Sequence, residues 1–454
     1  MNQGQETFRR LYLDVLDNDA LKAKYNKVLT RFRAERDQAR SDYDDFAESL
    51  REKGSEIREY AVEHMPELIE EFAQKFKSNG GKVIFAENTH DAAIHVHNII
   101  KGHNARKVIK TKSMMTEEIR LNDLLIAEGL EVVETDLGEF IVQLSDNKPA
   151  HIIAPALHKD RYDVSKLFTE KLGSKPTTDI ERLTRIAREN LREVYKEAEV
   201  GITGANFLIA ETGSICTVTN EGNGRICATL PKILISVVGV DKISAKFSDL
   251  AVLQPLLMRF ATGQRFTSYF QILNGPIKSE DTEGPEEHYV ILVDNGRLKL
   301  NQDLKLREIQ KCIRCGACIS VCPVYENIGG HSYMSVYPGP FGSILTPALA
   351  GDNNSSELPG CSSLCMRCDE VCPVKIKLSD LLLEYRRRSH IKKSGIFKIG
   401  MFGFSILVRS RILFSLAFKV LGLFGKLTGK NGKIRWLPSI AKNWTDKRDL
   451  PIPK

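Results

Sequence analysis

The sequence has no long hydrophobic run. Its longest uncharged stretch in the most apolar region is IGMFGFSILV, only ten residues, because basic residues interrupt the segment from Ile396 to Phe424. These basic residues are Lys398, Arg409, Arg411 and Lys419. A membrane-spanning helix needs about 20 apolar residues, so the pattern excludes a polytopic membrane protein. The N-terminal MNQGQETFRR also lacks the basic-then-apolar pattern of a secretory signal, and we therefore expect a cytoplasmic protein.

Two cofactor-binding motifs are also missing. The sequence contains no GxGxxG dinucleotide fingerprint and no P-loop lysine motif, so flavin or nicotinamide binding by a Rossmann motif is unsupported. What is present is an ordinary globular composition over 454 residues, with 42% hydrophobic and 27% charged residues. A chain of this length predicts two or three domains.

Charge is divided unevenly along the chain. From Arg386 to Lys454 there are 17 Lys and Arg against two acidic residues, a net charge of +15, whereas residues 1–385 carry 48 basic and 56 acidic groups, a net charge of −8. Basic patches favour phosphates, which leaves nucleic-acid binding as one interpretation. The aromatic residues of this tail stand among aliphatic ones, as in LFSLAF, which favours helix packing over base stacking and so argues against a nucleic-acid partner.

The local patterns divide the chain into five regions. Residues 1–78 are rich in helix formers, and their charge runs predict solvated helix faces. Residues 79–275 alternate β-branched runs (KVIFAE, RKVIKT, LEVVETD, FIVQL, HIIAP) with helical stretches, which predicts an α/β domain with a parallel sheet. We expect a linker over 276–302, a small cysteine-rich helical domain over 303–385 and a basic, amphipathic helical tail over 386–454.

A reducing compartment disfavours disulfides among the ten cysteines of the chain. Eight of them form two runs with a following proline, C-x2-C-x2-C-x3-C-P and C-x3-C-x2-C-x3-C-P: Cys312, Cys315, Cys318 and Cys322, then Cys361, Cys365, Cys368 and Cys372. The first spacing is that of two-cluster ferredoxins, in which the fourth cysteine of a run ligates the other 4Fe-4S cluster. Paired clusters are therefore predicted, and a four-cysteine zinc site is the alternative.

The ferredoxin pattern predicts a crossed arrangement, in which the fourth cysteine of each run ligates the cluster held by the first three cysteines of the other run. Cluster 1 is assigned to Cys312, Cys315, Cys318 and Cys372. Cluster 2 is assigned to Cys322, Cys361, Cys365 and Cys368. The x3 spacing after Cys361 departs from the simplest pattern, so a 3Fe-4S centre is the outcome if Cys361 does not bind.

The two runs flank a connector containing GGHSYMSVYPGP, and the α/β region contains ANFLIAETGSICTVTNEGNGR. With these motifs the chain resembles, over nearly its whole length, the B-subunit family of the bacterial lactate utilisation system. The resemblance implies a LUD domain, similar in fold to sugar-isomerase and CoA-transferase domains, followed by a dicluster ferredoxin-type module. It also implies electron transfer during oxidation of L-lactate to pyruvate. The implied partners are an A-type cysteine-rich subunit and a C-type small LUD subunit, and the electron acceptor stays open.

The α/β region has a candidate site of its own. Glu211 to Ser214 follows an apolar strand, and Asn220 to Gly224 forms a Gly-rich turn, so backbone amides and hydroxyls there are candidates for binding an anion. The alternative is that Gly213 and Gly222 only shape tight turns. If the cleft is active, the chain is an enzyme acting on an acyl-CoA or sugar-phosphate-like anion, with the clusters as accessories.

The remaining candidates are histidines and two isolated cysteines. His90, His95, His97 and His103 are close in sequence, but His95 and His97 fall on different helix faces, which disfavours a metal site. His151 and His158 are candidates for polar groups in the LUD cleft. Cys216 and Cys227 have no cysteine partner nearby in the sequence, and we expect both to be buried as small hydrophobic residues.

Overall fold

The computed structural model describes residues 3–42, 44–350, 357–388, 395–428, 433–434 and 450–451. The chain divides into two compact units, Met1–Ser389 and His390–Lys454. The first unit combines the N-terminal helices, the α/β region and the cysteine-rich region. The second contains the basic tail.

The N-terminal region is helical, as its composition predicts. The helices are α1 (Gln3–Leu16), α2 (Asp19–Ser41), α3 (Asp44–Glu63) and α4 (Met65–Ser78). Asn18 caps α2 by accepting a hydrogen bond from the backbone N–H of Leu21 at 2.9 Å. The expectation of solvated charged faces is wrong for Arg36 of α2 and for Arg51 and Arg58 of α3, which are buried. Helical charge patterns alone did not distinguish these three from their exposed neighbours.

Six parallel strands form the central sheet of the first unit. They are β1 (Lys82–Ala86), β2 (Lys107–Lys110), β3 (Glu131–Glu134), β4 (Val200–Thr203), β7 (Ile233–Gly239) and β10 (Glu287–Val293), in the order β1-β10-β7-β4-β2-β3. Ile291 is paired with Ile84 on one side and Val237 on the other. Helix α4 packs on one face through Phe72 and Phe76. The other face is covered by helices that include Val96 and Leu125, so both faces are buried, as parallel sheets require.

Helices connect and flank these strands. They are α5 (Thr89–Gly102), α6 (Met114–Glu118), α7 (Leu121–Ala127), α8 (Leu137–Leu144), α9 (Arg161–Leu172), α10 (Ile180–Glu197), α11 (Asn223–Thr229) and α12 (Leu250–Thr262). The predicted strand FIVQL is instead α8, because Asp136 accepts hydrogen bonds from the N–H groups of Gly138 and Glu139 and starts a helix. The predicted strand HIIAP forms turns.

The structure corrects the expected linker over 276–302. Its second half contains β10, a central strand of the sheet that is hydrogen-bonded on both sides, and α13 (Arg297–Asn301). The polar, Gly- and Pro-containing stretch GPIKSEDTEGP is only the loop before β10. The apolar run YVILV, which ends the strand, carries the signal of a buried parallel strand.

A second, four-stranded sheet lies in the same unit. It comprises β5 (Phe207–Ile209), β6 (Ser214–Thr219), β8 (Ile243–Ser244) and β9 (Tyr269–Leu273), in the order β8-β5-β6-β9. The β5–β6 and β6–β9 pairs are antiparallel. The chain leaves the central sheet after β4 and returns to it at β7.

The cysteine-rich region consists of short helices and turns. They are α14 (Ala317–Ser320), α15 (Pro323–Ile328), α16 (Gly339–Ala350), α17 (Arg367–Glu370) and α18 (Leu378–Arg388), together with 3-10 turns at Leu306–Lys311, His331–Tyr333 and Leu358–Gly360. Its buried residues join those of α12 and β5 in one hydrophobic core, which includes Phe207, Leu256 and Phe341. This region therefore packs directly on the α/β part.

The second unit contains α19 (Gly395–Arg409), α20 (Arg411–Thr428) and the short antiparallel strands β11 (Lys433–Ile434) and β12 (Leu450–Pro451). Most described apolar side chains of its helices are exposed, among them Phe402, Ile412 and Leu416. Of the helices described, none has the length and apolar character needed to cross a membrane. The tail acids, Asp446 and Asp449, lie outside the described residues.

Candidate metal centre

The first cysteine run forms a tight loop before α14. Arg314 and Gly316 adopt positive φ values of 62° and 74°, which turns the backbone sharply between successive cysteines. The backbone N–H of Arg314 donates to the Sγ of Cys312 at 3.4 Å. Cys322 precedes α15, and Pro323 occupies the first turn of that helix, where a missing N–H costs nothing.

Cys372 reaches this loop from the second run. It lines the same cavity as Cys312, Cys315 and Cys318, together with apolar side chains that include Phe341. The structure therefore brings together the four cysteines assigned to cluster 1, although Cys372 follows Cys318 by more than fifty residues.

The second set is more open to solvent. Cys365 is exposed and Cys361 is half-buried, whereas Cys322 and Cys368 are buried. Burial raises the pKa of Cys361 to about 12, and the nearby Cys322 thiolate adds to this shift. Burial also raises the pKa of Cys322, with a further contribution from Cys365. Cys322 is therefore close enough to interact electrostatically with both Cys361 and Cys365.

Among the described residues, no three His, Cys, Asp or Glu side chains converge on a point where one metal ion could bind. The four cysteines of the first set line one cavity, and together they would hold a 4Fe-4S cluster. Burial raises the pKa of Cys372 to about 12, so iron binding must be accompanied by loss of the thiol proton.

A buried ionic network that sequence reasoning missed adjoins the first set. Asp241 accepts from Arg314 at 2.5 Å and from Arg297 at 2.8 Å. Arg297 also binds both oxygens of Glu118, which accepts from the hydroxyl of Tyr337 at 2.6 Å. The guanidinium groups of Arg314 and Arg297 hold the pKa of Asp241 far below its usual range despite the opposing effect of burial. Asp241 is therefore ionised.

The sequence-predicted LUD cleft is not assembled as expected. Glu211 is exposed, and its Oε2 accepts from the backbone N–H of Phe247 at 2.7 Å. Gly213 has φ +66° in the turn between β5 and β6, where Thr212 and Ser214 bond to each other through their hydroxyls. This segment therefore shapes a tight turn.

The Gly-rich turn over 220–224 leads directly into α11. Burial and the neighbouring Asp136 raise the pKa of Glu221, so this turn lies beside the start of α8. Asn223 is buried. Glu211 and the Gly-rich turn therefore contact different parts of the chain, since Glu211 lies against Phe247 and Glu221 lies near Asp136.

A second group missed by sequence reasoning lies at the ends of β2 and β3. The Nζ of Lys110 contacts Glu134 at 2.6 Å and Glu117 at 3.2 Å. Glu139 lies nearby, and burial, with the charges of Glu134 and Glu117, raises its pKa to about 8. One carboxylate oxygen each of Glu134 and Glu139 is buried without a hydrogen-bond partner in the described structure. The sequence shows that Lys110 and Glu134 each end a strand-like run, but only the fold shows that these two strands pair and bring their carboxyl ends to one sheet edge.

The histidines do not form the groupings considered from the sequence. His95, His97 and His103 pair with Asp91, Glu128 and Glu287 respectively, and His90 is exposed. These contacts are separate.

His151 and His158 lie beside the cysteine-rich region. His151 is buried, accepts at Nδ1 from Ile153 and Ala154, and borders Gly316 of the first cysteine loop. Burial lowers its pKa to about 3. His158 stacks edge-on against His331 with ring centroids 4.9 Å apart. Their expected role in a LUD cleft is therefore not supported.

Cys216 and Cys227 are buried, as expected. Burial raises the pKa of each thiol to about 12. The Sγ of Cys227 donates toward the carbonyl oxygens of Ile109 and Ile202 at 3.5 Å. Both cysteines therefore act as small core residues.

Two protein-family models match the two regions described above. A family model described as "LUD domain" matches residues 69–293, and one described as "4Fe-4S dicluster domain" matches residues 308–376. The first match confirms the α/β LUD prediction and, like the sheet, extends beyond residue 275. The second spans all eight clustered cysteines and confirms the prediction of two 4Fe-4S clusters.

Relatives that match this chain over most or all of its length belong to one family. The chain is 41% identical over 458 residues to Lactate utilization protein B of Bacillus licheniformis and to that of Bacillus subtilis, covering 100% of this chain and 95% of each relative. It is 44% identical over 410 residues to Lactate utilization protein B 1 of Bacillus mycoides, covering 90% of this chain and 85% of that one. A solved duf162 family protein from Deinococcus radiodurans is 15% identical, with a TM-score of 0.29, and the match covers 50% of this chain and 98% of that one.

Proposed function

Because the chain belongs to the lactate utilization protein B family, we propose that it is the iron-sulfur electron-transfer subunit of a complex that oxidises L-lactate to pyruvate. It takes electrons from a subunit that oxidises lactate and passes them through two 4Fe-4S clusters to an acceptor. The observation that carries the proposal is the cavity that Cys372 shares with Cys312, Cys315 and Cys318. Such an exchange of cysteines between runs is typical of two-cluster electron carriers.

The proposed ligands are Cys312, Cys315, Cys318 and Cys372 for cluster 1 and Cys322, Cys361, Cys365 and Cys368 for cluster 2. A bound 4Fe-4S cluster supplies reversible one-electron transfer. Two features of the chain support this role. Apolar side chains such as Ile152, Phe341 and Val374 exclude water from the first site, and the charge of Cys368 affects the pKa of Cys318, so the two sites are neighbours.

We assign no bond chemistry to this chain. Oxidation of lactate to pyruvate releases two electrons and two protons, which calls for a group that accepts an electron pair or a hydride. The sequence has no recognisable dinucleotide motif, so lactate oxidation is proposed for a partner. The proposed partners are an A-type cysteine-rich subunit and a C-type small LUD subunit.

The test is anaerobic purification of the full chain alone and with these partners. We expect about eight irons per chain, as two 4Fe-4S clusters require, and reduction of the clusters by L-lactate only in the complex. Lactate turnover by the isolated chain with an artificial acceptor would contradict the assignment. So would a complex whose clusters are reduced by dithionite but never by L-lactate.

A second function is favoured by the group at the ends of β2 and β3. Lys110, Glu134 and Glu139 combine a buried amine with carboxylates at a sheet edge where α/β proteins often bind ligands. The alternative is therefore a LUD enzyme that acts on an acyl-CoA or sugar-phosphate-like anion. Turnover of such a substrate by the isolated chain, abolished by Glu134→Gln, would favour this function over electron transfer alone.

The second unit is proposed to dock on a partner subunit of the complex. Its helices expose large apolar side chains, including Phe402, Phe404 and Phe418, and Arg409 and Arg411 supply positive charge between the helices. The tail also contains apolar residues whose side chains lie outside the described residues: Ile396, Phe397, Met401, Leu421 and Phe424. Recovery of the full chain with membranes in the absence of partners would instead indicate peripheral attachment to anionic lipid.

A further inference from the structure

Arg58 is a buried cation without a carboxylate among its hydrogen-bond acceptors in the described structure. The side chain lies on α3 and is 1% exposed. Its guanidinium donates to the backbone carbonyls of Lys311 at 3.2 Å, Gln310 at 3.0 Å and Asp241 at 2.7 Å, and to that of Ile243. Two of these carbonyls immediately precede Cys312. Arg58 therefore fixes the start of the first cysteine loop and brings a positive charge to it.

Other buried arginines approach the same four cysteines. Arg51 donates to the carbonyl of Cys372 at 2.9 Å and 3.2 Å, and Arg314 donates through its backbone to Cys312. Arg36 donates to the carbonyl of Ala317, beside Cys318, at 3.5 Å. The three are buried, as Arg58 is. Arg51, Arg314 and Arg36 therefore bring guanidinium groups to the backbone at or beside Cys372, Cys312 and Cys318.

The buried carboxylates do not balance these charges. Asp241 is shared by Arg314 and Arg297, and Glu118 is bound to Arg297. The acids that pair with Arg51 and Arg36 are solvent-accessible, so water screens them: Glu48 is 45% and Asp37 72% exposed. Since an unbalanced buried charge is costly, the site is built for an anion. Four thiolates on an iron-sulfide core provide one.

The second site differs. The Sγ of Cys368 lies 3.4 Å from a carboxylate oxygen of Asp369, and Arg386 donates to the carbonyls of Pro359 and Ser362, on either side of Cys361. At the second site, Arg386 is therefore accompanied by a carboxylate, Asp369, that lies close to a ligand sulfur. Replacing Arg386 provides a control for replacing the arginines of the first site.

We propose that Arg58, together with Arg51 and Arg36, is a positioning residue that raises the reduction potential of cluster 1. The inference rests on the ligand assignment within the proposed function. The reduced cluster carries one more negative charge than the oxidised one, so a nearby fixed cation stabilises it more. Burial acts in the opposite direction, because a low-dielectric site disfavours the more highly charged form. Arginine suits this role because it stays protonated even when buried.

The test is a potentiometric titration of the anaerobically purified full chain, followed by electron paramagnetic resonance and driven by dithionite. We expect Arg58→Gln to lower the midpoint potential of one cluster and Arg51→Gln to lower that of the same cluster. Arg58→Lys, which keeps the positive charge, should have a midpoint potential close to that of the unaltered protein. Arg386→Gln should shift only the other cluster. Equal iron content in each variant serves as the check on cluster assembly.

Several results would overturn the proposal. One is an unchanged or raised midpoint in Arg58→Gln or Arg51→Gln protein that keeps both clusters. Another is a shift of the same cluster by Arg51→Gln and Arg386→Gln. If Arg58→Gln protein does not assemble its clusters, the midpoint potentials of Arg51→Gln and Arg36→Gln test the proposal instead, and an unchanged or raised value overturns it. Because the reductant is not lactate and no partner is present, failure of the lactate proposal would leave this result unaffected.

Discussion

Replacing Cys372 by Ser should destroy the cluster whose other ligands lie in the first run. The reason is the shared cavity: Cys372 lines it together with Cys312, Cys315 and Cys318, whereas the other cysteines of its own run are not among its lining residues. The full chain should contain about eight irons. Loss of one of two clusters leaves about four, or about seven if a 3Fe-4S centre survives at the damaged site. Cys216→Ser, which changes a buried cysteine outside both sets, should retain all of them.

The assay combines iron analysis with electron paramagnetic resonance of the reduced protein, and Cys365→Ser is the companion variant. In the crossed arrangement, Cys372→Ser and Cys365→Ser remove different signals although both residues belong to the second run. If the two variants remove the same signal and leave the other unchanged, each run binds its own cluster and the reasoning from the cavity is refuted. A Cys216→Ser protein that loses iron would show that the assay reports general misfolding.

Three further outcomes are expected. Glu139 has a raised pKa of about 8, so between the ordinary carboxyl range and pH 8 the folded state binds more protons than the unfolded state. The free energy of unfolding should therefore fall as pH rises, by up to about 1.4 kcal/mol per pH unit. In denaturation experiments, Glu139→Gln should show a weaker dependence of this free energy on pH. Arg297→Met leaves the buried Glu118 without its cation and should lower stability by about 3–5 kcal/mol in urea titrations. Loss of the exposed Lys53–Glu56 pair should cost less than about 1 kcal/mol. Deleting residues from 391 onward should leave iron content intact while weakening recovery of partner subunits; loss of clusters with partner binding retained would contradict docking by the tail.

Local signals predicted much of the architecture. Among the helical stretches expected within 79–275, α10 (Ile180–Glu197) starts where Asp179 accepts from the N–H of Arg182, and an aspartate before an amphipathic run is a helix-start signal that the sequence shows. The cysteine spacing predicted the meeting of Cys372 with the first run. In contrast, FIVQL is too short an apolar run to distinguish strand from helix by periodicity, and only the cap at Asp136 decides it.

The buried charges were beyond such reasoning. Arg58 lies in a helix of alternating charges and looks like any solvated residue, because its partners are backbone carbonyls that start 183 residues further along the chain. Lys110 and Glu134 are separated by a helical segment and meet only when two parallel strands pair. Contacts of this kind depend on which elements become neighbours in the fold. No local pattern encodes that choice.

The position of β10 has a consequence for how the protein is made. Strand β10 is inserted between β1 and β7, although it follows β1 by some two hundred residues. During synthesis, β1 and β7 have no partner on their facing sides until Val293 has left the ribosome, and exposed strand edges are sites of wrong pairing. The first cysteine run follows within about twenty residues. At the usual elongation rate of about 5–20 residues per second, the α/β domain can close its sheet within seconds of the moment at which the first iron ligands emerge.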